Sequence, residues 1–195
     1  PQDLKYKGEP TLLEIGDKTV VRECVTLNRG TIESGKTVIG SNCLLMSYSH
    51  VAHDCKIGNN VIMANFASLG GHVEIGDWAI LGGLTPVHQF THIGEHAMIG
   101  GGFRVPKDVP PYILAGQDPL MFEGLNAVGL KRRGFLQKTI ELLEQVYHLV
   151  YRSNLNVSQA VARIKDEVEL VPEVRKVVDF IANSKRGIIA GRRRT

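Results

Sequence analysis

Two histidines and a carboxylate lie within one short stretch, His50-Val51-Ala52-His53-Asp54. An imidazole titrates near neutral pH, so histidine suits the removal of a proton from a weak nucleophile such as an alcohol. Further histidines follow in the next coils at His72, His88 and His92. We expect His53 to be a general base, whereas His92 and His96 are expected to be ordinary surface residues.

These histidines belong to a six-residue repeat, or hexad, which is the most regular pattern in the chain. Apolar residues stand at Ile15, Val21 and Leu27 and then, after an irregular stretch, at every sixth position from residue 39 to residue 105. The recurring pairs are Ile39-Gly40, Ile57-Gly58, Ile75-Gly76 and Ile93-Gly94. Neither a helix nor an open sheet has a period of six, whereas a three-sided solenoid does. We therefore predict a parallel β-helix with three hexads in each triangular coil.

Stacked coils bring together residues that are distant in the sequence. Asp54 and His72 are three hexads apart, so we expect them one above the other and within ionic reach. Gly71 stands above His53 in the same way, so we expect its backbone N–H close to the imidazole. Adjacent strand residues point to opposite faces, so a direct contact of Asp54 with His53 requires a corner between them.

The repeat also defines the predicted organisation of the chain. Residues 1–14 lack a sustained period and are predicted to be a loop. Residues 15–110 are predicted to form the β-helix, and residues 30–37 (GTIESGKT) to form a short loop expelled from one corner. The prolines that end the repeat are Pro106, Pro110 and Pro111.

The composition changes after the repeat, and residues 118–195 are predicted to be a helical domain packed on the end of the solenoid. Residues 135–152 have one apolar helical face. Ser158 is a predicted cap of the next helix, and Pro172 fits the first turn of another.

Composition excludes few functions. The net charge of +3 is too small to indicate nucleic-acid binding, and no such partner is predicted. Three cysteines without CxxC spacing indicate neither a disulfide framework nor a zinc knuckle, which favours a reducing, cytoplasmic location. No apolar run is long enough to cross a membrane. We predict neither a cofactor nor a metal for this chain.

Several motifs together resemble one family along essentially the whole chain. They are the hexapeptide repeats, His50-Val51-Ala52-His53-Asp54-Cys55, Gly129-Leu130-Lys131-Arg132-Arg133-Gly134-Phe135, Gln2-Asp3-Leu4-Lys5-Tyr6, Gly71-His72, Val87-His88-Gln89-Phe90 and Asp108-Val109-Pro110-Pro111-Tyr112. The chain resembles the UDP-N-acetylglucosamine 3-O-acyltransferases of lipid A biosynthesis. The resemblance implies a mainly β fold, a left-handed parallel β-helix with a C-terminal α-helical domain, in a homotrimer with its sites between subunits. It also implies that several N-terminal coils precede Pro1 in the family.

The resemblance further implies a reaction and residue roles. A 3-hydroxyacyl chain would pass from acyl carrier protein to the 3-position of UDP-N-acetylglucosamine, with His53, Asp54 and Gly71 as the catalytic residues. The implied substrate-binding residues are Gln2, Asp3 and Lys5 of a neighbouring subunit, and His50, His72, His88, Gln89, Asn126, Arg132 and Arg133. Adjacent arginines suit a diphosphate. The basic stretches 131–133 and 192–194 are candidate docking sites for the acidic carrier protein.

Specificity is expected to depend on a few positions. The resemblance places Met98 and Gly101 where acyl-chain length is set, and glycine there predicts an open groove that accepts a long chain. Two departures from the family pattern concern the nucleotide and the sugar: Val128-Gly129 replaces a common Glu-Gly, and Asn28 replaces a common histidine. The second departure is compatible with a 3-amino sugar.

Three other functions remain open from the sequence alone. A related hexapeptide acyltransferase acting on an amino-sugar nitrogen needs the same base and oxyanion donor. A γ-class carbonic anhydrase uses this solenoid with three histidines on zinc. A non-catalytic β-helix scaffold is the third.

Overall fold

The computed structural model describes residues 1–191, and the strands that it contains are mostly two residues long. In chain order they are β1 (Leu12–Ile15), β2 (Val20–Val21), β3 (Thr26–Leu27), β4 (Lys36–Ile39), β5 (Leu44–Leu45), β6 (His50–Val51), β7 (Lys56–Ile57), β8 (Ile62–Met63), β9 (Ser68–Leu69), β10 (Glu74–Ile75), β11 (Ile80–Leu81), β12 (Pro86–Val87), β13 (His92–Ile93), β14 (Met98–Ile99), β15 (Ile113–Gly116), β16 (Met121–Leu125) and β17 (Ala190–Gly191).

The strands form the three flat faces of a parallel β-helix. Face 1 has the order β1-β4-β7-β10-β13, and face 3 has the order β3-β6-β9-β12. Face 2 runs from β2 through β5, β8, β11 and β14, and β15, β16 and β17 extend it. Consecutive strands of the chain thus lie on different faces, as the hexad repeat predicts.

The pairing register gives the length of each coil. Val38 pairs with Lys56 and Ile75 with Ile93, so each of these coils contains three hexads. Thr26 instead pairs with His50, so the first coil is longer by one further hexad. The extra hexad comes from the segment between β3 and β4, which leaves the coil as a loop. The sequence predicted both the coil length and this loop.

The corners of the coil use an unusual backbone conformation. One residue at each corner has a positive φ, and the stacked columns are Asn42, Asn60, Trp78 and His96 (corner 1), Tyr48, Phe66 and Leu84 (corner 2), and Asp54, His72 and Phe90 (corner 3). Such a conformation is uncommon for residues with a side chain, and the regular stacking of coils maintains it. Glycine is needed where coils come closest: a Cβ on Gly76 would lie 2.5 Å from the Glu95 nitrogen.

The core of the solenoid alternates large and small inward side chains. Leu45, Met63 and Leu81 are fully buried, as are the smaller Val61 and Ala79. Burying one large aliphatic side chain contributes about 1.5–3 kcal/mol, so each coil is stabilised mainly by contact with its neighbours.

Two predicted boundaries differ from the structure. Strand β1 begins at Leu12, so the loop predicted for residues 1–14 ends earlier, because Leu12 to Ile15 pair with β4. Strands β16 and β17 lie within the segment 118–195 predicted to be helical, because β16 pairs antiparallel with β15 and parallel with β17 at the end of face 2.

The helices that follow are α1 (Ala127–Arg132), α2 (Gln137–Tyr151), α3 (Val157–Glu167) and α4 (Pro172–Asn183). Pro172 occupies the first turn of α4, as predicted. The cap of α3 is Asn156 rather than Ser158, because Asn156 and Gln159 form a reciprocal capping box. None of the described helices is both long and apolar enough to cross a membrane.

The helices are attached to the last coils by buried polar contacts. The Tyr147 hydroxyl donates to the Pro111 carbonyl. The Asp108 carboxylate accepts hydrogen bonds from the backbone N–H of His92 at 2.8 Å and from the Ser184 hydroxyl at 2.6 Å. These contacts fix α2 and the C-terminal end of α4 relative to the solenoid.

Candidate active site

His53 and Asp54 form a hydrogen-bonded pair at corner 3. Asp54 has a φ of +60°, so the chain turns at this residue and the two side chains lie on the same side. The His53 Nδ1 atom is 2.8 Å from the Asp54 Oδ2 atom. The sequence predicts a direct contact between these two side chains only if the chain turns a corner between them. The structure contains that corner.

The Asp54 carboxylate is buried among hydrogen-bond donors. The Thr31 N–H donates to Oδ1 at 2.9 Å, the Thr31 hydroxyl donates to Oδ2 at 2.7 Å, and the Ser34 hydroxyl also donates to Oδ1. Burial opposes ionisation, but the hydrogen bonds from Ser34, His53 and Thr31 outweigh it and hold the pKa of Asp54 below its ordinary value. Asp54 is therefore an anion at neutral pH.

His72 lies directly above Asp54, as the coil arithmetic predicts. Its Nε2 atom is 3.7 Å from Asp54 Oδ2 and 3.3 Å from Glu33 Oε2. Phe90 stacks on the imidazole with ring centroids 4.5 Å apart, and the His53 ring meets it edge-on at 5.2 Å. These contacts orient His72 beside the His53–Asp54 pair.

Gly71 lies against the His53 ring from the next coil. A Cβ added to Gly71 would lie 2.8 Å from His53 Nε2, so only glycine leaves room for the imidazole. None of the described residues accepts a hydrogen bond from the Gly71 N–H. This N–H is therefore available as an oxyanion donor close to the free nitrogen of His53.

The other predicted histidines lie on the same edge of the solenoid. His50 on β6 contacts Thr26, with 2.6 Å between Nδ1 and Oγ1, and burial lowers the pKa of His50. His88 Nδ1 donates to the Gln89 carbonyl at 2.9 Å. Gln89 stands one coil above Gly71, which extends the polar edge along face 3.

Three groups at this corner are close enough to be considered as metal ligands. Atoms of His53, Asp54 and His72 lie within 4.8 Å of one another. The 2.8 Å separation of His53 and Asp54 is that of a hydrogen bond, and the carboxylate already accepts three further donors. The donor set therefore fits a hydrogen-bonded histidine–carboxylate pair better than a tetrahedral zinc site.

The structure separates the predicted nucleotide-binding residues from His53 within one chain. Arg133 lies at corner 1, with its guanidinium 5.3 Å from the Trp78 ring centre, and Arg132 is exposed on α1. Asn126 is 5% exposed, caps α1 through Gly129, and donates to the His96 carbonyl at 3.0 Å. The Asn126 side chain is thus occupied by structural contacts, and its role in binding nucleotide stays a prediction.

The N-terminal candidates are also apart from His53 in this chain. The Lys5 N–H donates to Asp3 Oδ1 at 3.0 Å, and Gln2 is exposed. No described hydrogen bond or ion pair joins Gln2, Asp3 or Lys5 to the pair at corner 3. The basic stretch 192–194 lies outside the described residues.

The acyl-length candidates lie at the last coil of face 2. Met98 points outward from β14 and is 41% exposed. A Cβ on Gly101 would lie 2.9 Å from the Gly83 carbonyl oxygen, so a larger residue there would press on the neighbouring coil.

Sequence reasoning missed two features. Thr31, Glu33 and Ser34 are in the loop predicted to leave the coil, and this loop folds back onto the site; the polar break in the repeat was the available signal. His96, expected at the surface, is buried at 8% exposure between Trp78, Tyr112 and Phe135.

Comparison with known proteins adds family evidence to this geometry. Residues 108–189 match the family model described as "Udp N-acetylglucosamine O-acyltransferase; Domain 2", and residues 36–71 match the bacterial transferase hexapeptide model. A curated relative from Chlorobaculum parvum, an acyl-[acyl-carrier-protein]–UDP-N-acetylglucosamine O-acyltransferase, is 61% identical over 96% of this chain and 71% of its own length. The Aquifex aeolicus protein of the same name is 58% identical over 96% of this chain and 72% of its own length.

A solved structure shows the same similarity in three dimensions. The UDP-N-acetylglucosamine acyltransferase from Bacteroides fragilis has a TM-score of 0.95 at 48% identity, covering 97% of this chain and 74% of that protein. The predicted fold class, a mainly β left-handed parallel β-helix followed by helices, is confirmed.

Proposed function

Because the chain belongs to the UDP-N-acetylglucosamine O-acyltransferase family, we propose that His53 is the general base of its reaction. The protein is an acyltransferase that uses an acylated carrier protein and UDP-N-acetylglucosamine, the first step of lipid A biosynthesis. The proposed chemistry is transfer of a 3-hydroxyacyl chain to the sugar 3-hydroxyl. The observation that carries this proposal is the His53–Asp54 pair, with the His53 ring lying against Gly71.

The hydrogen bond to Asp54 defines which nitrogen acts as the base. An ionised carboxylate only accepts hydrogen bonds, so Nδ1 of His53 carries the proton. The Nε2 atom is left unprotonated and can take the proton of the sugar hydroxyl. Asp54 also stabilises the imidazolium that forms, as the carboxylate does in other histidine-based acyltransfer sites.

The remaining steps need no covalent enzyme intermediate. The sugar oxygen attacks the thioester carbonyl carbon while His53 removes its proton, and the Gly71 N–H donates to the oxyanion. The carbon–sulfur bond then breaks. The carrier thiolate receives the proton from His53, which restores the base and releases the ester product.

The proposed active unit is a homotrimer, and the outward side chains of face 2 support this. Along this face the stacked outward residues are Val20, Leu44, Ile62, Ile80, Met98 and Leu114, all apolar. The corresponding row on face 1 includes Lys56, Glu74 and His92. Corner 2 adds Tyr48, Phe66 and Leu84, which are 53%, 48% and 64% exposed. A large apolar face is uncommon on a protein surface that is exposed to water, so this face supports burial against neighbouring subunits.

Assembly would also explain the separation of the predicted binding residues. Arg132 and Arg133 are near corner 1, whereas His53 is at corner 3. A neighbouring subunit can bring its own corner, or Gln2, Asp3 and Lys5, to the other chain's base. The two adjacent arginines then suit the diphosphate, and Lys131 to Arg133 form a basic surface for the acidic carrier protein.

The acceptor group on the sugar is the second part of the proposal. Asn28 follows β3, and its backbone N–H donates to the Val51 carbonyl at 2.9 Å. Its Oδ1 atom is buried and has no hydrogen-bond partner among the described residues, so it must turn outward to accept from a substrate. A 3-hydroxyl and a 3-amino group can both donate to it. We propose the hydroxyl substrate, because the relatives are O-acyltransferases by name.

The test is to supply purified protein with a 3-hydroxyacyl carrier protein and either UDP-N-acetylglucosamine or its 3-amino analogue. Mass spectrometry and alkaline hydrolysis distinguish an ester from an amide. We expect the ester to form faster. Faster amide formation would change the sugar assignment, and stoichiometric bound zinc without acyl transfer would contradict the proposal as a whole.

A further inference from the structure

The loop between β3 and β4 contacts the catalytic carboxylate directly. It comprises residues 30–35, the extra hexad of the first coil. Its ends are close together, since a Cβ on Gly30 would lie 2.4 Å from the Lys36 nitrogen, and the Gly35 N–H donates to the Thr31 carbonyl at 2.8 Å. The loop is therefore a closed turn with defined side-chain positions.

Three of the four donors to Asp54 come from this loop. They are the Thr31 N–H, the Thr31 hydroxyl and the Ser34 hydroxyl, and the fourth donor is His53 Nδ1. The single Ser34 hydrogen has two acceptors in reach, Asp54 Oδ1 and the Lys36 carbonyl, and a charged acceptor forms the stronger bond. The loop thus donates to both carboxylate oxygens, and its Thr31 hydroxyl shares Oδ2 with His53 Nδ1.

The loop's hydrogen bonds keep the Asp54 carboxylate ionised and aligned with His53. Asp54 is 3% exposed, and a buried carboxylate stays ionised and aligned only if other groups replace its water. The solenoid itself supplies a bond to the Asp54 backbone, in which the Asp54 N–H donates to the Thr37 hydroxyl at 2.8 Å. Apart from His53, only the loop supplies donors to the carboxylate oxygens among the described residues.

We propose that Thr31 and Ser34 are positioning residues for the general base: they hold Asp54 in the orientation that fixes the tautomer and direction of His53. This inference rests on the proposed function, because it assumes that His53 removes the proton. Neither residue needs to touch the substrate. Among the described residues, the other charged or titratable side chains next to the pair are Glu33, His72 and the buried thiol of Cys55.

Removal of a hydroxyl should have two effects. The carboxylate gains freedom, so the imidazole is aligned less often and kcat falls about five- to tenfold for one lost hydrogen bond. The carboxylate also keeps its full negative charge but has one hydrogen-bond donor fewer, so its electrostatic attraction to the protonated imidazole becomes stronger. The acid limb of the pH–rate profile should therefore move to higher pH, by roughly 0.3 to 0.7 pH units.

The experiment compares Ser34→Ala, Thr31→Val and Thr31→Ser with the native enzyme and with His53→Ala. Thr31→Val keeps the shape of a buried side chain without the hydroxyl, and Thr31→Ser restores the hydroxyl, so the two are matched. Ser34 is exposed on the loop, so Ser34→Ala remains informative if Thr31→Val does not fold. The readouts are kcat, KM and the pH–rate profile with saturating substrates.

We expect Ser34→Ala and Thr31→Val to lower kcat with KM nearly constant and to shift the acid limb, and Thr31→Ser to behave like the native enzyme. Unchanged kcat and an unchanged acid limb in both hydroxyl-free variants would overturn the inference. In that case an active native enzyme and an inactive His53→Ala would leave the proposed function intact. A native enzyme without activity would instead count against the proposed function.

Discussion

The His53 Nδ1 atom lies 2.8 Å from the Asp54 Oδ2 atom, although the two residues are adjacent in the chain. The contact exists because Asp54 occupies a corner with a φ of +60°, where successive side chains no longer point to opposite faces. A neutral amide in place of the carboxylate can offer its oxygen to Nδ1 or its NH₂ group, and the second arrangement places the histidine proton on the wrong nitrogen.

Asp54→Asn should therefore reduce kcat by about a hundred- to ten-thousandfold while KM changes little. Steady-state kinetics measure the effect, and a thermal unfolding midpoint close to the native value shows that the loss is chemical. A kcat within a few-fold of the native enzyme would show that the carboxylate does not act on the base.

Gly71→Ala should inactivate the enzyme by displacing the base. The new methyl group would lie 2.8 Å from His53 Nε2, which is closer than carbon and nitrogen atoms approach without a bond. Gly116→Ala is the matched control, because its Cβ would meet the nearest side-chain atom at 3.5 Å and Gly116 is away from corner 3. Equal activities of the two variants would contradict the close fit of ring and glycine.

Gly101→Met should shift the acyl-chain preference toward shorter donors. The larger side chain occupies space at the corner that follows β14, although its Cβ starts only 2.9 Å from the Gly83 carbonyl oxygen and some movement of that coil is expected. A panel of acyl carrier proteins with different chain lengths measures the preference, with unfolding midpoints as a check on the coil. The same preference in both proteins would remove Gly101 as a length determinant.

Ile80→Glu should dissociate the proposed trimer and abolish activity, because a charge would be buried in the apolar row of face 2. Glu74→Lys on face 1 is the control, since it changes charge on a face that is already polar. Sedimentation equilibrium gives the mass of each variant. A native protein that sediments as a monomer and still transfers acyl chains would contradict the assembly.

His96 should make stability depend on pH. Burial, with a further contribution from Arg133, lowers the pKa of His96 to about 4, whereas an unfolded histidine titrates near 6.5. The unfolded chain therefore binds more protons between these values, and the contribution of neutral His96 is present above pH 6.5 and is lost as the pH falls toward 4. Denaturant unfolding should show a loss on the order of 1–3 kcal/mol over this range. His96→Phe should reduce that slope, and an unchanged slope would assign it to other groups.

Most of the solenoid could be predicted from the sequence because its inward-facing residues recur with a fixed period. A coil of three hexads was sufficient to bring Asp54 under His72 and His53 under Gly71 without knowledge of any side-chain conformation. Strand β16 was not predictable in this way, since its pairing with β15 follows from how the solenoid ends rather than from a period.

The contacts of the inserted loop could not be predicted for a similar reason. Thr31 and Ser34 lie outside the repeat, so no arithmetic relates them to Asp54, and only the folded loop brings their hydroxyl groups to the carboxylate. His96 was also misjudged, because the sequence does not show that Phe135, from beyond the repeat, covers that corner.

The most direct test of the central claim is the kcat of His53→Ala compared with that of His92→Ala, in an assay with a 3-hydroxyacyl carrier protein and UDP-N-acetylglucosamine. Both variants remove an imidazole from the same solenoid, but His92 lies on face 1 and outside the proposed machinery. A general base contributes about a hundred- to ten-thousandfold to the rate. We predict a loss of that size for His53→Ala and near-native activity for His92→Ala, whereas native-like activity of His53→Ala would contradict the assignment of the base.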